Sequence, residues 1–263
     1  MNDLKITIVQ SNIIWENIEQ NLINYSNILN GISNTDIIIL PETFATGFTN
    51  NVDSFNENSN GKILNWLKEK AKHLNSVIIG SAFIKDNNKI YNRLIFMYPD
   101  GNYSYYNKSH LFRMTDENKY ISKGDSKIIV DYKGWKICPL ICYDLRFPIW
   151  SRNKVVDNSF DYDVLVYIAN WPERRSSIWE TLLKARAIEN QCYTIGVNRI
   201  GNDGNNISHS GNSLVSDFFG AVLSNIEPHK QTIETIVLSK EKLAEFRRSF
   251  PAHLDADNFE ILK

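Results

Sequence analysis

Apolar and polar positions change period along this chain, and the changes mark its elements. Residues 6–10 are a short β-rich run and read as a strand. Between residues 15 and 32 the apolar side chains recur at Ile18, Leu22, Tyr25, Ile28, Leu29 and Ile32. That is helical spacing, and Gly31 suits the end of the helix. Residues 36–40 then form a continuous apolar run, the pattern of a strand covered on both faces. The run stops at Pro41, with Glu42 directly after it. Ile63, Leu64, Leu67, Ala71 and Leu74 predict a second helix, and residues 77–83 another buried strand. Two hairpins are expected in the middle. One joins residues 91–98 to 103–106 through Pro99, Asp100, Gly101 and Asn102; the other joins 128–132 to 135–142 through Lys133 and Gly134.

Further along, residues 164–169 and 193–198 read as strands. Between them Ser177 and Glu180 have capping-box spacing and open a helix running to about residue 190. Residues 213–216, 221–223 and 232–238 read as late strands. Ser239 caps a last helix, which Pro251 ends near residue 250. Helices and strands alternate early and hairpins fill the centre, so the expected class is α/β with mixed sheets and helices outside. No linker, repeat or low-complexity tract interrupts the pattern, so one domain spanning 1–263 is expected, with a tail from about residue 251. Residues 48–61 and 112–125 are the long polar loops, placed where lids and binding loops occur.

Composition narrows the function. The chain has 263 residues, with 29 Lys+Arg against 30 Asp+Glu. That balance gives no basic surface for nucleic acid and no polybasic tract for an anionic membrane. No apolar run approaches the roughly 20 residues of a spanning helix, and the N-terminus lacks signal-peptide character. The three cysteines, Cys138, Cys142 and Cys192, are too few and too uneven for a disulfide framework. A soluble protein of the reducing cytoplasm is expected.

Cys142 carries the sharpest chemical signal. It ends the apolar run 135–141 and is followed at once by Tyr143, Asp144, Leu145, Arg146, Phe147 and Pro148, a turn into a short helix. Helix N–H groups aimed at a sulfur lower a thiol pKa and can hold an oxyanion. Glu42 and Lys108 also stand where strands end. At three such ends, a thiol, a carboxylate and an ammonium can meet in one crevice. Amide hydrolysis by cysteine needs that set: Glu42 as proton shuttle, with burial raising its pKa toward neutrality, Lys108 as a fixed cation for the oxyanion, and the Tyr143 N–H as a second donor. No metal or organic cofactor is required. The histidines have no metal-ligand spacing, and no P-loop or dinucleotide fingerprint is present.

Three segments carry a family resemblance: Pro41-Glu42-Thr43-Phe44, Asn107-Lys108-Ser109-His110-Leu111-Phe112, and Ile141-Cys142-Tyr143-Asp144-Leu145-Arg146-Phe147-Pro148. They resemble, in the same order, the signature segments of the nitrilase superfamily of carbon–nitrogen hydrolases. Residues 110–114, 142–148 and 170–172 are similar to its omega-amidase branch. The resemblance implies a four-layer α-β-β-α sandwich with two mixed β-sheets. It implies Glu42 as general base, Lys108 at the oxyanion and Cys142 as nucleophile. It also implies a second site glutamate, matched by Glu117 with Asp116 as rival. A homodimer through sheet-flanking helices and hydrolysis of the terminal amide of 2-oxo acid amides such as 2-oxoglutaramate are implied as well. The alternatives are another amidase of the superfamily (carbamoyl amine, nitrile or deaminated glutathione) and a thiol-reactive binding protein without turnover.

Plainer readings apply to other residues. Cys138 and Cys192 are expected in the core, and His110 behind Lys108 or in the core. Arg146 is expected in a structural ion pair beneath the Cys142 turn, with a substrate role as the minor alternative. Arg186 with Glu189 reads as a structural pair or solvated face. Tyr143, Phe44 and Trp171 are expected as walls of the substrate pocket. For a substrate carboxylate, Arg113, Arg174, Arg175 and Arg199 are candidates that the sequence does not rank.

Overall fold

The elements of the chain follow its periodicity closely in the computed structural model, which describes residues 2–156, 159–257 and 259–261. β1 (Leu4–Gln10) leads to α1 (Ile18–Leu29), where the Asn17 side chain accepts the Gln20 N–H at 3.0 Å. β2 (Ile37–Ile39), the single-turn α2 (Val52–Phe55) and α3 (Lys62–Leu74) come next. β3 (Val77–Asp86), β4 (Lys89–Met97) and β5 (Tyr103–Asn107) form a meander, each antiparallel to the next. After the single-turn α4 (Glu117–Tyr120) come the hairpin β6 (Val130–Tyr132) and β7 (Trp135–Ile141), then α5 (Pro148–Ser151). A ribbon of β8 (Val155–Val156) and β9 (Ser159–Phe160) precedes β10 (Val164–Ala169), α6 (Ser176–Glu189) and β11 (Tyr193–Asn198), a parallel crossover unit. The ribbon β12 (Ile200–Asn202) and β13 (Ser208–Ser210) follows, then β14 (Leu214–Ser216), β15 (Thr232–Leu238) and α7 (Lys240–Ser249).

The long strands form two mixed sheets, ordered β15-β1-β2-β3-β4-β5 and β14-β11-β10-β7-β6. Because side chains alternate across a strand, each apolar run divides between two layers. Leu4, Ile6, Ile8, Ile37, Ile39, Val77 and Ile79 face the second sheet, whose inner face carries Ile137, Val164, Val166, Ile195 and Val197. Val9, Ile38 and Ile78 face outward and are covered by Leu22 and Tyr25 of α1 and Ile63, Leu64 and Leu67 of α3. On the far side, Trp179 and Leu183 of α6 and Leu243 of α7 cover the second sheet. Four layers result, helix on sheet on sheet on helix. The continuous apolar runs were therefore needed: strands covered on both faces have no solvent side to make polar. Gly196 of β11 is required by this packing, since a Cβ there would come within 2.3 Å of Leu183 and 2.7 Å of Trp179.

Three local expectations are corrected. Ser177 and Glu180 do not form a capping box: α6 enters through a 3-10 turn, Glu173–Arg175, with no side-chain cap, and Glu180 accepts from the Asn212 amide instead. Residues 221–223 are not a strand. Asp217 turns the chain back there by accepting the Phe219 and Ala221 N–H groups at 2.9 Å, leaving one bridge, Ser216 to Val222. β3 runs past residue 83 to Asp86 and turns through Asn87 and Asn88 at φ 49° and 62°, a tight hairpin that asparagine tolerates.

Candidate active site

Glu42, Lys108 and Cys142 each stand just past a strand, and packing the two sheets brings them together. Glu42 follows β2, Lys108 follows β5, and both belong to the first sheet. Cys142 follows β7 in the second, and Asn170 follows β10 beside it. After Leu40 the chain turns sharply at Thr43, whose φ is +44° and whose N–H donates to Ser81 Oγ at 2.8 Å. This turn aims Glu42 at the second sheet with its side chain fully buried.

Three donors fix the Glu42 carboxylate. Oε1 accepts from Lys108 Nζ at 3.0 Å and from Asn92 Nδ2 at 2.8 Å; Oε2 accepts the Asn170 N–H at 2.8 Å. Lys108 Nζ also donates to Glu117 Oε1 at 3.0 Å. Glu117 opens α4, and its Oε2 accepts the Phe112 N–H at 2.5 Å. Two carboxylates thus share one ammonium, and all three side chains are at most 1% exposed. Asp116 points away, exposed and paired with Lys119 at 3.1 Å, so Glu117 is the acid in the cluster.

The charges set each other. Burial works against the Lys108 ammonium, but Glu117 and Glu42 outweigh it and raise its pKa above the ordinary lysine range. Burial raises the Glu117 carboxyl, with Lys108 opposing and Glu42 adding to the rise. The expected lowering of the Cys142 thiol does not occur. Burial and the Glu42 carboxylate raise its pKa well above the usual value, outweighing Lys108. The thiol proton of Cys142 must therefore pass to a base before sulfur can attack, and Glu42 is the carboxylate whose charge it senses. Cys138 and Cys192 are core thiols, as expected, both pushed up by burial to about 12.

The turn after β7 is a 3-10 segment, Cys142–Arg146, that begins with Cys142 at φ +44°. Asp144 anchors it from behind. Its Oδ2 accepts the Ile141 N–H at 3.1 Å and the Tyr106 hydroxyl at 2.8 Å; its Oδ1 accepts the His110 N–H at 3.1 Å and contacts His110 Nδ1 at 2.7 Å. His110 stacks on Phe147 at 3.8 Å, so it supports the turn from behind the site. Arg186 pairs with Glu189 at 3.0 Å and donates to the Leu145 carbonyl at 2.7 Å, a structural pair that also holds this turn.

A pocket of about 360 Å³ opens over the cluster and is lined by Glu42, Lys108 and Cys142 together. Tyr143 and Trp171 line it as expected. Phe44 does not. It is fully buried on the outer side of the first sheet, 5.3 Å from the Tyr25 ring and 5.6 Å from Trp66, because the turn at Thr43 puts residues 42 and 44, which an unbroken strand would place on one face, on opposite sides. Phe48 takes that place, with Lys108 Nζ 4.9 Å from its ring centroid, and Phe112 stands opposite against Tyr143 at 4.9 Å. Both aromatics are the first residues of the two polar loops singled out in the sequence, which was the available signal. Asn92 had none, since it lies inside β4. Among the described residues Arg146 has no ion-pair partner; it lies over the Trp171 ring at 5.1 Å and lines the pocket. Of the other arginines, Arg175 lines the pocket, Arg113 and Arg174 are exposed, and Arg199 is buried on the Ile13, Ile200 and Asn202 carbonyls.

Comparison with known proteins points to one family. The carbon-nitrogen hydrolase family pattern matches residues 5–248. The omega-amidase YafV of Escherichia coli is 41% identical over 261 residues, covering 99% of this chain and 100% of that protein. A 2-oxoglutaramate amidase of Bacillus subtilis is 34% identical over 84% of each chain. The crystal structure of XC1258 from Xanthomonas campestris, a CN-hydrolase superfamily protein with an arsenic adduct in its active site, superposes with a TM-score of 0.97. It is 39% identical and covers 99% of this chain and 100% of that one.

Proposed function

We propose that this chain, which belongs to the carbon-nitrogen hydrolase family, hydrolyses the terminal amide of small 2-oxo acid amides of the 2-oxoglutaramate type. The products are ammonia and a dicarboxylate. One observation carries the reading: Lys108 bridges Glu42 and Glu117 at 3.0 Å each, in a pocket that also holds Cys142. The similarity to an omega-amidase and a 2-oxoglutaramate amidase supports the substrate class. So does the small pocket, which suits a short substrate and keeps bulk water out.

The steps follow from the hydrogen bonds. As the Cys142 sulfur attacks the amide carbon, Glu42 takes the thiol proton. The oxyanion forms beside Lys108 Nζ, which remains charged because two carboxylates hold it, and the Tyr143 N–H serves as the second donor. The C–N bond breaks as Glu42 returns the proton to nitrogen, and ammonia leaves a thioester on Cys142. Water then attacks the thioester, Glu42 takes its proton, and collapse returns that proton to sulfur. Glu117 keeps Lys108 in place throughout. A free thiol nucleophile suits a reducing compartment, so the cytoplasm is the proposed location.

Ammonia release from a substrate panel tests this. The kcat/KM for 2-oxoglutaramate and succinamate is expected to exceed that for a nitrile, a carbamoyl amine or deaminated glutathione by at least about tenfold, the scale of one well-placed interaction. Preference for another class would overturn the substrate assignment, and absence of turnover on every amide would favour a binding protein.

The working unit is proposed to be a homodimer. On the outer side of the second sheet, Ile188, Phe219 and Phe250 are 52%, 67% and 59% exposed. Phe246 joins two of them, 4.7 Å from Phe219 and 6.1 Å from Phe250, while Gly220 lies against Ile188. An apolar patch of this kind on helix and turn suits a two-fold contact. Sedimentation at micromolar concentration is expected to show a dimer that Phe219→Asp shifts toward monomer; a monomeric wild-type protein would remove the proposal.

A further inference from the structure

One end of the pocket carries two guanidiniums that pair with no carboxylate among the described residues. Arg146 lies over the Trp171 ring at 5.1 Å. Arg175 lies over the Phe112 ring at 5.2 Å, and its carbonyl accepts the Trp171 indole N–H at 2.8 Å. Among the described residues the arginine ion pairs are those of Arg93, Arg186 and Arg247, so Arg146 and Arg175 have none. Aromatic faces hold them instead, which leaves the N–H forks free for a planar anion. Burial, Arg174 and Arg146 all lower the Arg175 pKa, so the two pocket guanidiniums sense each other's charge. Arg175 also precedes the uncapped start of the 14-residue α6, whose dipole adds positive potential there.

Besides Glu42, which Lys108 holds, two acids line the same pocket, Glu16 and Asp203, and both are engaged on its loops. Glu16 accepts from the Thr49 hydroxyl at 2.5 Å, and Asp203 accepts the Asn205 and Ile207 N–H groups at 2.8 and 3.0 Å. The cationic end therefore stays unpaired until a ligand arrives.

We propose that Arg175, with Arg146 beside it, is the charge filter of this pocket: it takes the carboxylate at the far end of the substrate and rejects a substrate whose carboxylate has an ammonium neighbour. A 2-oxo acid and the corresponding 2-amino acid share chain, amide and carboxylate. Only the amino acid brings a like charge within a few ångströms of the two guanidiniums, where repulsion is strong in a dry site. The filter predicts that 2-oxoglutaramate is turned over in preference to L-glutamine. It rests on the amide-hydrolase reading for turnover, but not for binding.

Two measurements on wild type, Arg175→Gln and Arg175→Lys test it. In Arg175→Gln the kcat/KM for 2-oxoglutaramate is expected to fall about 10- to 100-fold, the worth of one charge-assisted fork, and the preference over L-glutamine to shrink at least tenfold. Arg175→Lys, which keeps the charge but loses the fork, is expected to fall between the two. Partial unfolding lowers both amides alike, so the ratio is insensitive to it. Calorimetric binding of 2-oxoglutarate is expected to weaken by the same factor. Hydrolysis with ratio and Kd unchanged in Arg175→Gln overturns the filter and leaves the hydrolase reading standing. Arg175-dependent binding of 2-oxoglutarate, with no ammonia released from either amide, overturns the hydrolase reading and leaves the filter standing.

Discussion

Cys142→Ala is expected to lower ammonia release by roughly 10⁴- to 10⁶-fold, the usual scale for deleting a covalent nucleophile. The substitution removes only the sulfur. The backbone turn stays anchored through Asp144, which accepts from Ile141, Tyr106 and His110 and does not involve the thiol. The unfolding free energy should therefore change by no more than about 1 kcal/mol. Steady-state ammonia detection together with a urea melt checks both halves. Substantial turnover in a folded Cys142→Ala protein would mean that water attacks the amide directly and that the thioester route is wrong.

Lys108→Met is expected to hurt both activity and stability. The oxyanion loses its cation, which costs on the order of 10²- to 10³-fold in kcat, and Glu42 loses one of its three donors. Glu42 and Glu117 are also left facing each other inside the protein, at 0% and 1% exposure, without the ammonium between them. Breaking a buried charge cluster in this way costs about 3–5 kcal/mol. The sign of the pH effect follows from Glu117. Burial already raises its carboxyl, and Lys108 supplies the opposing pull; without Lys108 the folded-state pKa rises further above the unfolded value of about 4.3. The folded variant then binds more protons than the unfolded chain, so its stability falls as pH rises from the unfolded carboxyl range through the raised folded pKa. Acidification toward pH 5 should recover part of the loss. Urea melts at pH 5 and pH 7.5 measure it; equal destabilisation at both would show that the carboxylates are not left uncompensated.

The two predictions concern residues that were legible in the sequence. Glu42 and Cys142 end apolar runs covered on both faces, the plainest strand signal available, and Lys108 follows the second strand of a hairpin marked by its turn. Glu117 was separable from Asp116 only in three dimensions. The Asp116 φ of +59° turns its side chain to solvent and the next one inward, a one-residue difference that composition does not encode. Phe44 was misplaced for a related reason: at Thr43 the backbone leaves the period-two rule that assigns faces along a strand. The thiol was misjudged because a helix-start argument counts nearby N–H groups, whereas burial and a facing carboxylate dominate here. Arg146 and Arg175 were visible as arginines, but their lack of acidic partners is a property of the assembled surface. Mixed sheets with helices outside were readable from periodicity, and the four layers were implied by the family resemblance; which strand lies beside which was not readable from periodicity.

The reactive groups are divided between the two sheets, the acid and ammonium on one and the thiol on the other. Neither half of the architecture holds a working centre alone. A repacking that slides one layer past the other by an ångström would separate donor from acceptor while leaving every strand intact. Residues such as Ile37 and Ile137, outside the pocket lining, therefore set the catalytic distances as well as filling space. Lineages that alter bulk on one inner face would be constrained to compensate on the opposite face, through coupled drift across the seam.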